Sequence, residues 1–169
     1  FECEKGDEFT NFRILREDIP LPQSAHISIP LDSFAPAFWP KIHLERLNRG
    51  HWQYAGGSIR GIHLNAKLDQ AGTYCLAIDR APPEITPIAM SKNLRGWNRI
   101  KFRIDDSNGA HPLQFEGCID GQWVLMEYDE KNRLLTHALS DTLSGAHFFE
   151  LTVWDDRMNE SHYTLSFRR

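Results

Sequence analysis

The chain has 169 residues, of which 41% are hydrophobic and 25% charged, and its formal net charge at pH 7 is −4. This composition is typical of a soluble globular protein and excludes a disordered chain, a collagen and a coiled coil. No basic surplus is available for phosphate backbones, so nucleic acid is not an expected partner. No apolar run reaches the roughly 18–20 residues of a membrane-spanning helix, and the acidic, polar first residues predict that no signal peptide is present.

Short β-strands are predicted in the first half, because its apolar residues alternate and glycine, proline, asparagine and aspartate interrupt it every few residues. The expected strands are residues 25–31, 41–47, 52–55, 59–64 and 72–78. Residues 39–47 fit a helix as well as a strand, and they are the only stretch with a helical alternative. The segment Asp79-Arg80-Ala81-Pro82-Pro83 then breaks the pattern, since its two prolines donate no ladder hydrogen bonds. It is a linker or the edge strand of a new unit, and we predict a domain boundary between residues 80 and 81.

The second half has the clearer strand pattern. In residues 98–105, Ile100, Phe102 and Ile104 alternate with basic residues. Asp120-Gly121 predicts a type I′ hairpin, in which both central residues take a positive φ. Further strands are expected at residues 112–119, 122–129, 134–138, 147–155 and 163–167. The fold is therefore predicted to be all-β, with a β-domain at 1–80 and an immunoglobulin-like sandwich at 81–169.

Aromatic side chains suggest a possible carbohydrate platform, because indole and phenol rings stack on pyranose rings. Trp123 is expected to lie in or near the core, since it alternates with Leu125 next to the hairpin. Trp39 and Trp52 lie in less regular stretches and are the better candidates for exposure. The predicted ligand-binding residues are Trp39, Trp52, Tyr54, Arg49 and Arg60.

Motifs for catalysis are absent from the sequence. It contains no HExxH, HxH, CxxC, GxSxG or phosphate-binding glycine loop, so no catalytic residue, metal ligand set or cofactor is predicted. His137 and Asp141 form the single HxxxD, a match expected by chance among eight histidines. The cysteines are Cys3, Cys75 and Cys118, and the last two are expected to be buried small apolar residues within strands.

Paired acidic residues follow two predicted strands of the second domain. Asp105 and Asp106 end one strand, and Asp155 and Asp156 end another. If both strands end at the same pole of the sandwich, these four carboxylates are candidate calcium ligands, because Ca²⁺ takes six to eight oxygens. The alternative is that aspartate simply begins turns well.

Several stretches match one known pattern. They are residues 72–79, 81–88, 100–106, 145–155, 166–168 and, most specifically, Cys118-Ile-Asp-Gly-Gln-Trp-Val-Leu-Met-Glu-Tyr-Asp129. Together they resemble the C-terminal β-sandwich extension of LytM-type (lysostaphin-like) zinc endopeptidases of Bacteroidetes. The resemblance covers about residues 55–169, and residues 1–54 fit loosely as the preceding β-domain.

Departures from the family pattern limit what the resemblance implies. Residues 105–110 read DDSNGA in place of DDxSGI, and Met158 stands where the last hairpin has a glycine. Methionine at this position disfavours a tight turn or a calcium site there. The HxxxD and HxH that bind the catalytic zinc in the peptidase domain are also missing, so no catalytic residue is carried over.

The resemblance implies a non-catalytic module that targets, positions or docks a peptidoglycan-directed metallopeptidase-like protein. Its partner would be peptidoglycan or a cell-envelope protein, and its location the periplasm or cell envelope. Three alternatives stay open: a carbohydrate-binding module that uses exposed Trp and Tyr, an enzyme assembled from distant Cys–His or His–Asp pairs, and a surface adhesion protein.

Overall fold

The computed structural model describes residues 4–6, 9–14, 20–88, 91–106 and 113–169. The described part contains sixteen β-strands and one 3₁₀ helix, so the protein is all-β. It forms two compact units, one within residues 1–80 (unit 1) and one within residues 81–169 (unit 2).

Unit 1 is a sandwich of two antiparallel sheets. The strands are β1 (Glu4–Gly6), β2 (Phe9–Ile14), β3 (Pro20–Pro30), β4 (Ile42–Asn48), β5 (His51–Tyr54), β6 (Ser58–Arg60), β7 (His63–Gln70) and β8 (Gly72–Ile78). The five-stranded sheet has the order β1-β2-β8-β4-β5, and the three-stranded sheet has the order β3-β7-β6. Alternating side chains of both sheets form the core, which consists of Leu31, Ile42, Leu44, Leu64, Ala66, Leu68, Tyr74 and Leu76.

Two stretches of unit 1 differ from the sequence-based expectation. Residues 39–47 are divided between a 3₁₀ helix (Pro36–Lys41) and strand β4, because prolines begin and interrupt the helical turn. The prediction of a single strand at residues 59–64 is wrong, because this stretch contains the end of β6 and the start of β7. Gly61 takes a φ of 59° between them, a conformation that glycine adopts at little cost, and reverses the chain.

Unit 2 is an immunoglobulin-like sandwich. Its strands are β9 (Glu84–Pro87), β10 (Arg99–Asp105), β11 (Gln114–Ile119), β12 (Gln122–Val124), β13 (Glu127–Asp129), β14 (Leu134–Ala138), β15 (Ala146–Trp154) and β16 (Glu160–Arg168). One sheet has the order β13-β14-β10-β9 and the other the order β12-β11-β15-β16. This is the immunoglobulin arrangement of strands A, B, E and D against C, F and G, with β12 as an added edge strand.

The core of unit 2 follows the predicted alternation. Ile100, Phe102 and Ile104 are fully buried on β10, as are Phe149 and Leu151 on β15. The Phe102 and Phe149 rings stack with centroids 5.5 Å apart. Offset aromatic pairs of this kind add about 0.5–1.5 kcal/mol to the free energy that burial alone provides.

Two hairpins show how turn chemistry fixes the ends of unit 2. Asp120 and Gly121 take φ values of 52° and 74°, which matches the predicted type I′ turn. At the β15–β16 hairpin the expectation that Met158 disfavours a tight turn is wrong, because Met158 itself takes a φ of 60°. The fully buried Asp155 supports this turn: its Oδ1 accepts the backbone N–H groups of Arg157 and Asn159, each at 2.8 Å.

Trp123 is the clearest error of the sequence-based reading. It is 64% exposed, not buried, because β12 is a three-residue edge strand and Trp123 lies opposite Cys118 on the outer face. Cys118 is itself half-buried, whereas Cys75 is buried as expected; both are free thiols.

Candidate functional site

An exposed aromatic side chain lies on the outer face of the five-stranded sheet of unit 1, the face turned away from the core. Trp52 and Tyr54 are two residues apart on the edge strand β5, so their side chains point to the same side. Trp52 is 41% exposed. Tyr54 is half-buried, and its ring centroid lies 5.3 Å from that of the buried His43. Strand β5 therefore presents the exposed Trp52 ring next to the Tyr54 ring, which packs against His43.

Hydrogen-bonding groups lie in the adjoining turn and on the other face of β5, because Gln53 alternates with Trp52 and Tyr54 along the strand. Arg49 is exposed in the β4–β5 turn, and the Asn48 amide donates a 2.9 Å hydrogen bond to Oε1 of Gln53. A hollow of about 220 Å³ adjoins Tyr54, and its polar lining includes Arg46, Gln53, Lys67, Asp69 and Gln70. The exposed Trp52 ring can stack on the CH face of a pyranose, and Arg49 in the adjoining turn can bind a sugar hydroxyl, whereas the polar lining of the hollow lies on the opposite side of the sheet.

The other two predicted ligand-binding residues lie elsewhere in unit 1. The Trp39 indole N–H is shared between the carbonyl oxygens of Leu31 and Phe34, 3.1 Å from each, and the ring packs against the core. Trp39 is therefore a structural residue. Arg60 lies on β6 of the three-stranded sheet, where it lines a hollow of about 450 Å³ with His26 and other polar residues. The structure thus brings together Trp52, Tyr54 and Arg49, and places Trp39 and Arg60 apart from them.

A histidine, a glutamate and a cysteine meet on the same sheet, which bears on the open enzyme alternative. His43 Nε2 lies 3.2 Å from Glu45 Oε1, so its N–H donates a hydrogen bond that the carboxylate accepts. The Cys75 thiol donates to Glu45 Oε2 at 3.9 Å. Burial, followed by the Glu45 carboxylate, raises the pKa of Cys75 to about 12. The thiol stays protonated at neutral pH, so Cys75 is not an activated nucleophile.

Cys118 is no better placed for nucleophilic chemistry. Burial and the nearby carboxylates of Glu116 and Glu150 raise its pKa above the ordinary value of 9.0. A reactive cysteine needs positive neighbours that lower the pKa, and Cys118 has negative ones.

The four aspartates predicted as candidate calcium ligands make different contacts. Asp105 forms an ion pair with Arg133, and Asp156 forms one with Arg157 at 3.3 Å. Asp106 and Asp155 are buried, and their carboxylate oxygens come within 4.8 Å of each other. Asp155 already accepts three hydrogen bonds within its own turn, the third from the Asn159 side-chain amide at 2.8 Å. The calcium assignment stays a prediction.

A second polar site lies at the β11–β12 hairpin of unit 2, and the sequence reading did not find it. Asp120 Oδ2 accepts a 2.7 Å hydrogen bond from His147 Nδ1, and Oδ1 accepts the Phe148 N–H at 2.8 Å. The hydrogen bond from His147, followed by that from Phe148, lowers the pKa of Asp120. A cleft of about 330 Å³ opens next to this carboxylate, lined in part by Gln122, the exposed Trp123 and His137.

The turn signal in the sequence bears on the face of the sheet that Trp123 occupies, although not on its exposure. The predicted type I′ turn at Asp120-Gly121 fixes the register of β11 against β12, so Trp123 must pair with Cys118. Ile119 and Gly117 are buried, so Cys118 and its partner Trp123 point outward.

Comparisons with known proteins do not indicate a ligand for either unit. No protein-family model and no curated protein matches the chain. The chain is similar to a solved structure of the fibronectin(III)-like modules of CbhA from Clostridium thermocellum, with 11% sequence identity and a TM-score of 0.42 over 86% of this chain and 85% of that one. A likeness at this level says nothing about what the chain binds. In the described part of the chain, no helix is long and apolar enough to cross a membrane.

Proposed function

We propose that this chain is a non-catalytic accessory module of a peptidoglycan-directed protein of the cell envelope, and that it targets or positions that protein by binding glycan. The observation that carries the proposal is the exposed Trp52 beside Tyr54 on the edge strand β5, with Arg49 in the adjoining turn. The resemblance of residues 55–169 to the C-terminal extension of LytM-type endopeptidases suggests peptidoglycan as the source of the glycan.

Exposure of a large aromatic ring costs folding free energy. An indole exposed at 41% gives up apolar burial, and at about 25 cal/mol per Å² this lowers the stability that unit 1 gains from folding. A pyranose stacked on that ring recovers the burial, and the guanidinium of Arg49 in the adjoining turn binds a sugar hydroxyl. The stacking partner of the indole is then the CH face of the saccharide.

The raised pKa values of the two cysteines that the structure describes, Cys75 and Cys118, support the non-catalytic part of the proposal. The Cys75 thiol has a pKa of about 12, and the pKa of Cys118 is raised as well. The Cys75 proton is directed at Glu45, not at the neighbouring histidine. The work of the chain would then be done by surface complementarity on a rigid β scaffold.

The test is a pull-down with purified peptidoglycan sacculi, with zinc added and released muropeptides assayed in the same tube. The native chain is expected to bind without release, and Trp52→Ala is expected to weaken binding about tenfold. Ile62→Ala is the matched control, because Ile62 is also a large exposed residue, 48% accessible, in the β6–β7 turn. Muropeptide release would refute the non-catalytic assignment. Absence of binding would refute the glycan partner and favour a spacer or protein-docking role.

A further inference from the structure

We propose that the outer face of the sheet β12-β11-β15-β16 in unit 2 is a docking surface for a partner protein, and that it binds an extended segment carrying arginine or lysine next to an apolar side chain. This inference goes beyond the proposed function, because it concerns another unit and another class of ligand. The surface, here named the outer patch, consists of Glu116, Cys118, Trp123, Phe148 and Glu150.

Strand register places the five residues of the outer patch side by side. Cys118 lies opposite Trp123 on β12 and opposite Glu150 on β15, and opposite residues on antiparallel strands have Cβ atoms about 4.5–5.5 Å apart. Glu116 is two residues along β11 from Cys118, and Phe148 is two residues along β15 from Glu150, so all five side chains project from one side of the sheet. The residue between each of these two pairs is buried, so the patch faces away from the core.

Two large aromatic side chains of the outer patch are open to solvent. Trp123 is 64% exposed and Phe148 is 39% exposed. The small, half-buried Cys118 lies between them, since it is opposite Trp123 and diagonal to Phe148. Exposed apolar groups that share one face mark interaction sites, and tryptophan and phenylalanine are enriched where proteins bind each other.

The carboxylates of the outer patch determine the charge of the partner. Glu116 and Glu150 are exposed, and within the part of the chain that the structure describes neither forms an ion pair. By contrast, Glu127 on the other sheet of unit 2 pairs with Arg99 at 3.3 Å. Among the described outward residues of the sheet, Arg168 is the one arginine or lysine, and it lies on β16, the edge strand farthest from β12. An acidic surface attracts a basic partner and repels an acidic one.

Arginine and lysine match both properties of the outer patch. Their methylene stems can cover the aromatic surface, and their charged groups can stack on the Trp123 indole and pair with a carboxylate. Glu116 and Glu150 both act on the centre of the patch: burial, followed by these two carboxylates, raises the pKa of Cys118. Glu116 Oε1 lies 3.9 Å from the Cys118 sulfur. A cation placed over Cys118 would therefore meet two carboxylates and an indole ring.

The experiment is a ¹H–¹⁵N NMR titration of the full chain with the acetylated, amidated peptide Arg-Ser-Leu-Ser-Arg. In an extended chain its two arginines and its leucine point to the same side. The control peptide is Glu-Ser-Leu-Ser-Glu, which has the same shape and the opposite charge. We expect the indole signal of Trp123 to shift with the basic peptide and to stay unmoved with the acidic one.

A pair of double variants tests the role of the carboxylates. Glu116→Gln with Glu150→Gln removes both charges of the outer patch and keeps the side-chain shapes, and it should bind the basic peptide about five- to tenfold more weakly. Glu127→Gln with Glu130→Gln is the matched control, because both residues are exposed at β13 and the turn after it, on the other sheet of unit 2. This control should bind like the native chain. Circular dichroism should show that both double variants are folded, since all four side chains are exposed.

Several results would overturn the inference. Equal shifts of the Trp123 signal with both peptides, or equal binding by the two double variants, would mean that docking does not depend on the carboxylates. A Trp123 signal that moves on dilution of the chain alone would assign the face to a second copy, and one that moves with tetra-N-acetylchitotetraose but not with the basic peptide would assign it to a saccharide. A signal that moves with none of these probes would also overturn it. The response of Trp52 to a saccharide is a separate readout, so failure of either proposal leaves the other standing.

Discussion

Substitution of Met158 measures the backbone strain in the β15–β16 hairpin. It takes a φ of 60°, a left-handed conformation that costs an L-residue roughly 1–2 kcal/mol, and its side chain is 62% exposed. We compare Met158→Gly with Met158→Ala, because both variants lose the same exposed methionine side chain. Only the glycine variant relieves the strain.

The expected difference follows from two opposing terms. Glycine removes the left-handed penalty of about 1–2 kcal/mol but adds about 0.5–1 kcal/mol of backbone entropy to the unfolded chain. Met158→Gly should therefore be about 0.5–1 kcal/mol more stable than Met158→Ala. At an ordinary strand position the order is the opposite, because a protein with alanine there is more stable than one with glycine by about 0.5–1 kcal/mol.

Native-state amide hydrogen exchange measures this difference for unit 2 alone. The amides of Phe149 and Leu151 lie in the fully buried part of β15 and report its global opening. They should exchange about two- to fivefold more slowly in Met158→Gly than in Met158→Ala. Equal protection, or greater protection in the alanine variant, would show that the turn stores no backbone strain at this residue.

Three further predictions follow from individual contacts. Asp155→Ala should destabilise unit 2 by roughly 2–4 kcal/mol in urea unfolding, because it removes three hydrogen bonds to a buried carboxylate; a loss below about 0.5 kcal/mol would contradict this. Cys75 stabilises unit 1 as a protonated thiol, so its contribution to the free energy of unfolding is fully present below pH 9.0 and is lost as the pH rises towards about 12. The free energy of unfolding should therefore fall less steeply over this pH range in Cys75→Ala, and the same pH dependence in both proteins would refute the raised pKa. By NMR, the Asp120 carboxyl should titrate below the ordinary value of 3.8, and its pKa should rise in His147→Ala; no rise would mean that His147 is not the main cause.

Strand patterns in unit 2 were predictable because one face of each strand is buried. Ile100, Phe102 and Ile104 alternate with basic residues, and burial selects that register. The Asp120-Gly121 turn was also predictable, since few residue pairs accept two positive φ values. Both signals are local, and the structure agrees with both.

Features that depend on distant residues were not predictable in the same way. Trp123 alternates like a core residue, but its exposure is set by the edge position of β12, which no local pattern reveals. Trp39 lies in an irregular stretch and was expected to be exposed, yet its indole binds two carbonyl oxygens and packs against the core. The Asp120–His147 hydrogen bond joins residues 27 positions apart, so it depends on the pairing of β11 with β15.

The glycan-binding claim is tested most directly by a ¹H–¹⁵N spectrum of the indole groups during titration with soluble peptidoglycan fragments. The five tryptophans give five Nε1–H signals, at positions 39, 52, 97, 123 and 154. Our account predicts that the signal of Trp52 shifts and that the hydrogen-bonded Trp39 signal does not. A titration that leaves the Trp52 indole unmoved, or that shifts all five equally, would contradict it.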